Sequence, residues 1–227
     1  MSAPYSVVIP AYNAEATIGA AIASTLAQTV PPTSIIVIDD GSADSTADVA
    51  AAASPLALVL RKSNGGPGSA TTLGLSQVTT PLFATLDADD LWLPVKMERQ
   101  LAALAADPGL AAVFSLGRLF RDGEAPSAAD GSEIRLWTRT SMVFRTAAAR
   151  QIGDLVDLHG NLGELIDWLA RSRELGHRHL MLEEVLALRR VRPGGLSDTG
   201  DSDRARGYLQ AVRRALERRK RLEEDSC

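Results

Sequence analysis

The chain has 227 residues, a formal net charge of −4 and one cysteine, Cys227, as its last residue. With 45% hydrophobic and 23% charged residues it has the balance of a folded chain with one sizeable core, which argues against disorder, a disulfide or zinc scaffold and a basic nucleic-acid binder. No basic residue precedes Arg61 and no run reaches the roughly 18 unbroken apolar residues of a membrane span, so neither a targeting peptide nor a spanning helix is expected and the expected location is cytoplasmic.

Tyr5 to Ile9 is a short β-rich run ending at Pro10. Glu15 to Thr29 carries Ile18, Ile22 and Leu26 at helical spacing, and Pro31-Pro32 stops it. Ser34 to Ile38 is nearly all apolar, as in a parallel sheet covered on both faces, and runs into Asp39-Asp40-Gly41-Ser42. Asp44-Ser45 caps an Ala-rich helix through Ala53. Leu56 to Leu60 is a third strand, Asn64 to Ser69 a glycine turn, and a helix follows to Val78. Pro81 to Leu86 is a fourth strand, ending in Asp87-Ala88-Asp89-Asp90, and Val95 to Ala106 is a helix opened by Pro94. This alternation predicts an α/β fold with a mostly parallel, Rossmann-like twisted sheet and helices on both faces. Beyond it, Leu110–Phe120, Ile134–Thr138 and Ser141–Phe144 read as strands, and residues 121–133 as a loop. Leu162–Leu175 reads as a helix, Met181–Arg192 as strand or helix, and Arg204–Glu224 as a basic amphipathic helix after the Pro193-Gly194-Gly195 break. The expected divisions are 1–120, an α/β subdomain; 121–195, a second part of the same domain; and 196–227, the basic terminal helix.

Open parallel sheets bind ligands at the carboxyl ends of their strands. Here those ends are Pro10-Ala11-Tyr12-Asn13, Asp39-Asp40, Gly65-Gly66-Pro67-Gly68 and Asp87-Ala88-Asp89-Asp90. Tyr12 can stack on a base while Asp39 accepts a hydrogen from its ring nitrogen. Gly65 and Gly66 let the backbone approach a ligand closely. Asp87 and Asp89, around the turn at Ala88, present hard oxygens to Mg²⁺ or Mn²⁺, with phosphate oxygens completing the shell. Each of these signals alone is more often a turn or a helix cap; their placement at successive strand ends is what points to a site.

Tyr5-Ser-Val-Val-Ile-Pro-Ala-Tyr-Asn13, Ile38-Asp-Asp-Gly-Ser42, Asn64-Gly-Gly-Pro67 and Leu86-Asp-Ala-Asp-Asp90, in this order and spacing, resemble the family 2 glycosyltransferases of GT-A fold. The resemblance covers residues 4–120 and, more weakly, extends to about residue 195. It implies an enzyme that moves a sugar from a nucleotide-diphosphate donor to an acceptor hydroxyl with inversion, using a divalent cation. It also implies that Pro10, Ala11, Tyr12 and Asp39 hold the nucleoside, that Asp87 lies near the ribose and metal, and that Asp89 binds the metal. Gly66 and Ala88 belong to the same donor-binding edge. A non-catalytic sugar-nucleotide binder is the alternative, and nucleotidyltransferase and phosphoacceptor-receiver readings rank below it.

The family pattern carries Glu-Asp before a helix ending in Arg, and here Gly163-Glu-Leu-Ile-Asp-Trp-Leu-Ala-Arg171 puts Leu165 where the general base is expected. Asp167 is then the preferred base and Glu164 the other candidate, with Trp168 as a floor for the acceptor sugar. Two further departures are Ala70-Thr71-Thr72 in place of Ala-Arg-Asn, and Arg192 in place of a late His. His159, His177 and His179 show no metal-ligand spacing. For the terminal helix, packing on the domain or against a dimer partner is the expected use and membrane contact the lesser reading.

Overall fold

A computed structural model describes residues 3–123, 132–158, 163–191 and 201–225. His159, Arg192, the Pro193–Gly195 break and Cys227 lie outside them. The first half alternates as the sequence predicts: β1 (Tyr5–Ala11), α1 (Ile18–Leu26), β2 (Ser34–Asp39), α2 (Thr46–Ala53), β3 (Ala57–Arg61), α3 (Pro67–Ser76), β4 (Leu82–Thr85), a short β5 (Leu91–Trp92) and α4 (Lys96–Ala106). Then come β6 (Leu110–Arg121), β7 (Glu133–Leu136), a single 3₁₀ turn at Arg139–Ser141, β8 (Val143–Arg145), α5 (Thr146–Ile152), α6 (Glu164–Glu174), β9 (Arg178–Val191) and α7 (Asp201–Asp225).

The described strands form one sheet in the order β3-β2-β1-β4-β8-β6-β9-β5, with β7 paired to β6 beside that path. β1 through β4 are mutually parallel, and so are β6 and β9. β8 runs antiparallel between β4 and β6. The stretch from Met181 that periodicity leaves open is thus strand, zipped along β6. β1 extends two residues past its predicted end. Val8 turns its carbonyl to Leu86 on the β4 side, so the donor that Pro10 lacks falls where β4 has already ended.

Alternate residues of the central strands feed two cores, which is why these strands read as unbroken apolar runs. Tyr5, Val7, Ile9, Ile35 and Val37 pack with Ile18 and Ile22 of α1 and with Met97, Leu101 and Leu104 of α4. Val8, Ile36, Ile38 and Phe83 pack on the other face with Ala70 of α3, Ala148 and Ile152 of α5, and Leu165, Trp168 and Leu169 of α6. Among the described residues no helix is long and apolar enough to cross a membrane.

The chain winds outward from β1 to β2 and β3, then crosses back to β4 on β1's other side. The strand order therefore reverses between β1 and β4, and the crevice at their carboxyl ends is the natural ligand position of such a sheet.

Candidate active site

Tyr12 follows β1 at that crevice and is 50% exposed. Its neighbour Asn13 adopts a left-handed conformation (φ 47°), which asparagine tolerates better than most residues. The bend is pinned to the loop after β2: Asn13 N–H donates to Ser42 Oγ at 2.9 Å, Ala43 N–H to Asn13 Oδ1 at 2.9 Å, and Asp40 N–H to the Ala11 carbonyl at 2.8 Å. Pro10 and Ala11 are buried, whereas Tyr12 and Asn13 are exposed.

Asp39 ends β2 with its side chain fully buried. Its Oδ1 accepts from Ser42 N–H at 3.0 Å. Its Oδ2 lies 2.8 Å from Arg61 Nε, yet accepts no aligned hydrogen bond among the described residues. One carboxylate oxygen beside the Tyr12 bend thus keeps acceptor capacity. Asp40 serves the fold instead: it takes Lys62 Nζ at 2.6 Å and the backbone N–H of Gly65 and Gly66. Gly66 is held at φ 98°, where a side chain would be strained, so that its N–H reaches Asp40 at 2.8 Å.

The N-terminus of α3 is already satisfied. The Asp157 carboxylate, 89 residues further along, accepts from Gly68 N–H at 2.7 Å and also from Ser69 N–H.

After β4, Asp87 and Asp89 are partly exposed while Ala88 and Asp90 are buried. Burial and the flanking charges of Asp87 and Asp89 push the Asp90 carboxyl well above the usual carboxylate range. Asp90 is hydrogen-bonded by the Thr140 hydroxyl and by Arg190 N–H at 2.7 Å, and Arg190 Nε donates to the Asp89 carbonyl at 2.9 Å.

Arg139 is the residue no motif announces. Its Nε donates to Asp87 Oδ1 at 2.8 Å and its Nη1 to Glu164 Oε1, so one guanidinium joins the strand-four carboxylate to the start of α6. Both carboxylates hold the guanidinium firmly in its charged form. The 3₁₀ turn beneath it is fixed through its carbonyls: Arg139 O accepts from Thr85 Oγ1, Thr140 O from Trp92 Nε1 and Ser141 O from Gln100 Nε2, each at 2.7 Å.

Asp167, one turn beyond Glu164, has a different environment. Its side chain is fully buried and meets Arg218 Nη1 at 2.7 Å, Arg171 Nε at 3.3 Å and Arg214 Nε at 3.6 Å, two of them from α7. Trp168 is completely buried, with Nε1 donating to the Gly153 carbonyl and its ring edge-on to Phe144. The expectation that Trp168 floors an acceptor sugar is therefore corrected: the indole is core. Leu165 lies in the same apolar cluster.

The carboxylates at the strand-four turn suit a hard divalent ion by type, since all are oxygen donors. Among the described residues no three His, Cys, Asp or Glu form a ready metal cluster. A cation here would need Asp87 and Asp89 together with oxygens from a ligand, which is the donor set of an ion carried in with a diphosphate.

Residues 6–156 match the family model described as glycosyl transferase family 2. An uncharacterized glycosyltransferase of Rickettsia prowazekii is 39% identical over 99 residues, which are 44% of this chain and 31% of that protein. The chain thus spans under a third of that relative's length. The mannosyltransferase PcManGT of Pyrobaculum calidifontis, solved with GDP-Man and Mn²⁺, superposes with a TM-score of 0.73 at 16% identity, covering 94% of this chain and 65% of that one. S. aureus TarS 1-349, solved with UDP-GlcNAc, gives 0.69 at 19% identity, covering 87% and 61%. These two likenesses bear on the fold, which is that of GT-A glycosyltransferases.

Proposed function

The chain belongs to glycosyl transferase family 2, and from that premise we propose that it transfers a sugar from a nucleotide-diphosphate donor to an acceptor hydroxyl, with inversion and with a divalent cation. The observation that carries this reading is the row of side chains at the β1/β4 reversal: an exposed Tyr12 ring, a buried Asp39 oxygen with acceptor capacity left, and partly exposed Asp87 and Asp89. A flat aromatic face beside a carboxylate acceptor suits a nucleobase with a ring N–H. Pro10 and Ala11 form the wall behind it, and Gly66 and Ala88 line the same edge with little bulk. The solved likenesses hold UDP-GlcNAc in one case and GDP-Man with Mn²⁺ in the other, in keeping with a donor of this class.

In this reading residues 1–120 supply the donor side and residues 121–195 the acceptor side. Asp89, with Asp87, would hold Mg²⁺ or Mn²⁺, and the ion when bound supplies Lewis-acid stabilisation of the charge on the departing diphosphate. Arg139 fixes Asp87 and Glu164 relative to one another, so the donor and acceptor sides keep register without reorganising during the reaction. The acceptor oxygen bonds to the anomeric carbon as the bond to the diphosphate breaks, and its proton passes to a carboxylate base. Glu164 is the better placed of the two candidates, because Arg139 ties it to Asp87, whereas Asp167 is enclosed by three arginines.

A second reading, a sugar-nucleotide binder without turnover, is favoured by the leucine in the core at the position where the family pattern puts its base. The two are separated by thermal-shift titration with UDP, GDP, CDP and dTDP, each with and without Mn²⁺, followed by donor turnover with the matching nucleotide sugar. Stabilisation by one diphosphate with turnover that Glu164→Gln removes supports transfer. Stabilisation without turnover selects the binder, and no stabilisation by any of the four rejects both.

A further inference from the structure

Helix α7 has two faces of different chemistry. On the inner face Gly207 and Ala211 are buried, and Arg214 and Arg218 reach Asp167. Arg218 also binds Glu174 at 2.7 Å. At 100° per residue the opposite face carries Leu209, Val212 and Leu216 as one row, and these are 67%, 51% and 62% exposed. Three aliphatic side chains so bare contribute little to the fold of this chain. Tyr208, 41% exposed, stands beside them.

The row is bordered by cations. Arg213 and Lys220 project along one side and Arg219 along the other, all exposed. Glu217 and Glu224 lie at the edge, with Glu224 at 3.8 Å from Lys220. What can cover this face follows from its charge. A second copy laid against it would bring like-charged Arg213, Arg219 and Lys220 together around a contact of only three aliphatic residues. An anionic lipid surface meets both features: aliphatic tips enter the boundary between headgroups and acyl chains, while Arg and Lys stems lie over the apolar row and place their charges at the phosphates. Residues 1–60 contain five acidic residues and no Lys or Arg, so an anionic surface attracts α7 and repels that segment.

We propose that the outer face of α7 is a docking surface for anionic phospholipid bilayers, with Leu209, Val212 and Leu216 inserting and Arg213, Arg219 and Lys220 contacting lipid phosphates. The proposal does not depend on the reaction at the strand ends. Flotation of the full chain with vesicles tests it, comparing pure phosphatidylcholine with a mixture containing about 30% phosphatidylglycerol. The chain is expected to float with the mixed vesicles only, and less as salt rises from about 0.05 M to about 0.5 M. The double variant L209E/L216E is expected to lower the bound fraction at least about tenfold, with unchanged circular dichroism and thermal midpoint. A second variant, R213Q/K220Q, changes only exposed charges and is expected to weaken binding to anionic vesicles. Absence of flotation, equal binding to neutral vesicles, or unchanged binding by both variants overturns the proposal. So does a dimer in sedimentation equilibrium that L209E/L216E dissociates while vesicles are not bound.

Discussion

Arg139 shows how one side chain sets the chemistry of a strand end. Its guanidinium is a planar fork, and both prongs are engaged, one by Asp87 and one by Glu164. Arg139→Met leaves two like-charged carboxylates, a buried Glu164 and a partly exposed Asp87, with no cation between them. The expected result is a loss of about 3 kcal/mol in urea unfolding, together with weakened nucleotide binding. Arg139→Lys restores one contact but not the fork, so calorimetry should place its donor affinity between the wild type and Arg139→Met. Asp89→Ala removes the other partly exposed carboxylate of the same turn. It is expected to leave unfolding within about 0.5 kcal/mol of the wild type, while abolishing the Mn²⁺-dependent part of nucleotide-diphosphate binding measured by calorimetry. Equal affinity with and without Asp89 would remove the cation from the proposal.

Helix α6 carries two carboxylates three positions apart that serve different neighbours. Glu164→Gln is expected to preserve donor affinity and lower kcat by roughly 10²–10⁴-fold, the range for a lost general base. Asp167→Asn is expected to act on stability instead, costing roughly 3 kcal/mol and opening α7 to limited proteolysis, because Arg171, Arg214 and Arg218 lose their buried counter-charge. If Asp167→Asn abolishes transfer at unchanged stability, the base assignment passes to Asp167. The junction with α7 is close: Gly163 sits at φ 93°, and a β-carbon there would stand 2.7 Å from the Gly207 carbonyl. Elements with strong local patterns were legible in the sequence. Apolar runs as short and β-branched as Ser34–Ile38 fit strands covered on both sides, and Ile18 and Ile22 mark the buried stripe of α1. Met181–Arg192 was not, because its residues come in apolar and charged pairs, such as Met181-Leu182, Glu183-Glu184 and Arg189-Arg190, rather than alternating, and only the long zipper with β6 selects the strand. β5 and α5 are short elements held by tertiary partners, so local periodicity has too few residues to register them. The placement of Tyr12, Asp39, Asp87 and Asp89 at or just after strand ends was legible for the same topological reason as the strands. Arg139 and Asp157 were not, since their partners lie 52 and 89 positions away and no spacing rule connects them. Trp168 next to an acid invited a sugar-binding reading, and its burial against Phe144 shows why an aromatic beside a carboxylate is ambiguous without tertiary context.

At the scale of the molecule, acid sensitivity has an identifiable contributor. Burial, Arg173 and His177 lower the His179 pKa from 6.5 to about 4. Its Nε2 is paired with Ser172 Oγ at 2.8 Å, and its ring lies against Phe144. Between the two pKa values the unfolded chain binds the extra proton, so stability is complete above about pH 6.5 and declines as pH falls toward about 4. His179→Gln keeps a polar partner for Ser172 without the titration. The difference in unfolding free energy between wild type and variant should therefore change in the variant's favour between about pH 7 and about pH 4.5; a parallel pair of pH profiles would exclude His179 as the cause. The bond from Asp157 to the start of α3 joins residues 89 positions apart. A helix beginning is ordinarily a socket for phosphate, and here the protein has stoppered it with its own carboxylate. Any pyrophosphate entering the crevice finds that berth taken and an anion guarding it, so compensation for its charge has to arrive from elsewhere. Chelation by EDTA should accordingly weaken nucleotide-diphosphate binding far more than it weakens binding of the uncharged nucleoside.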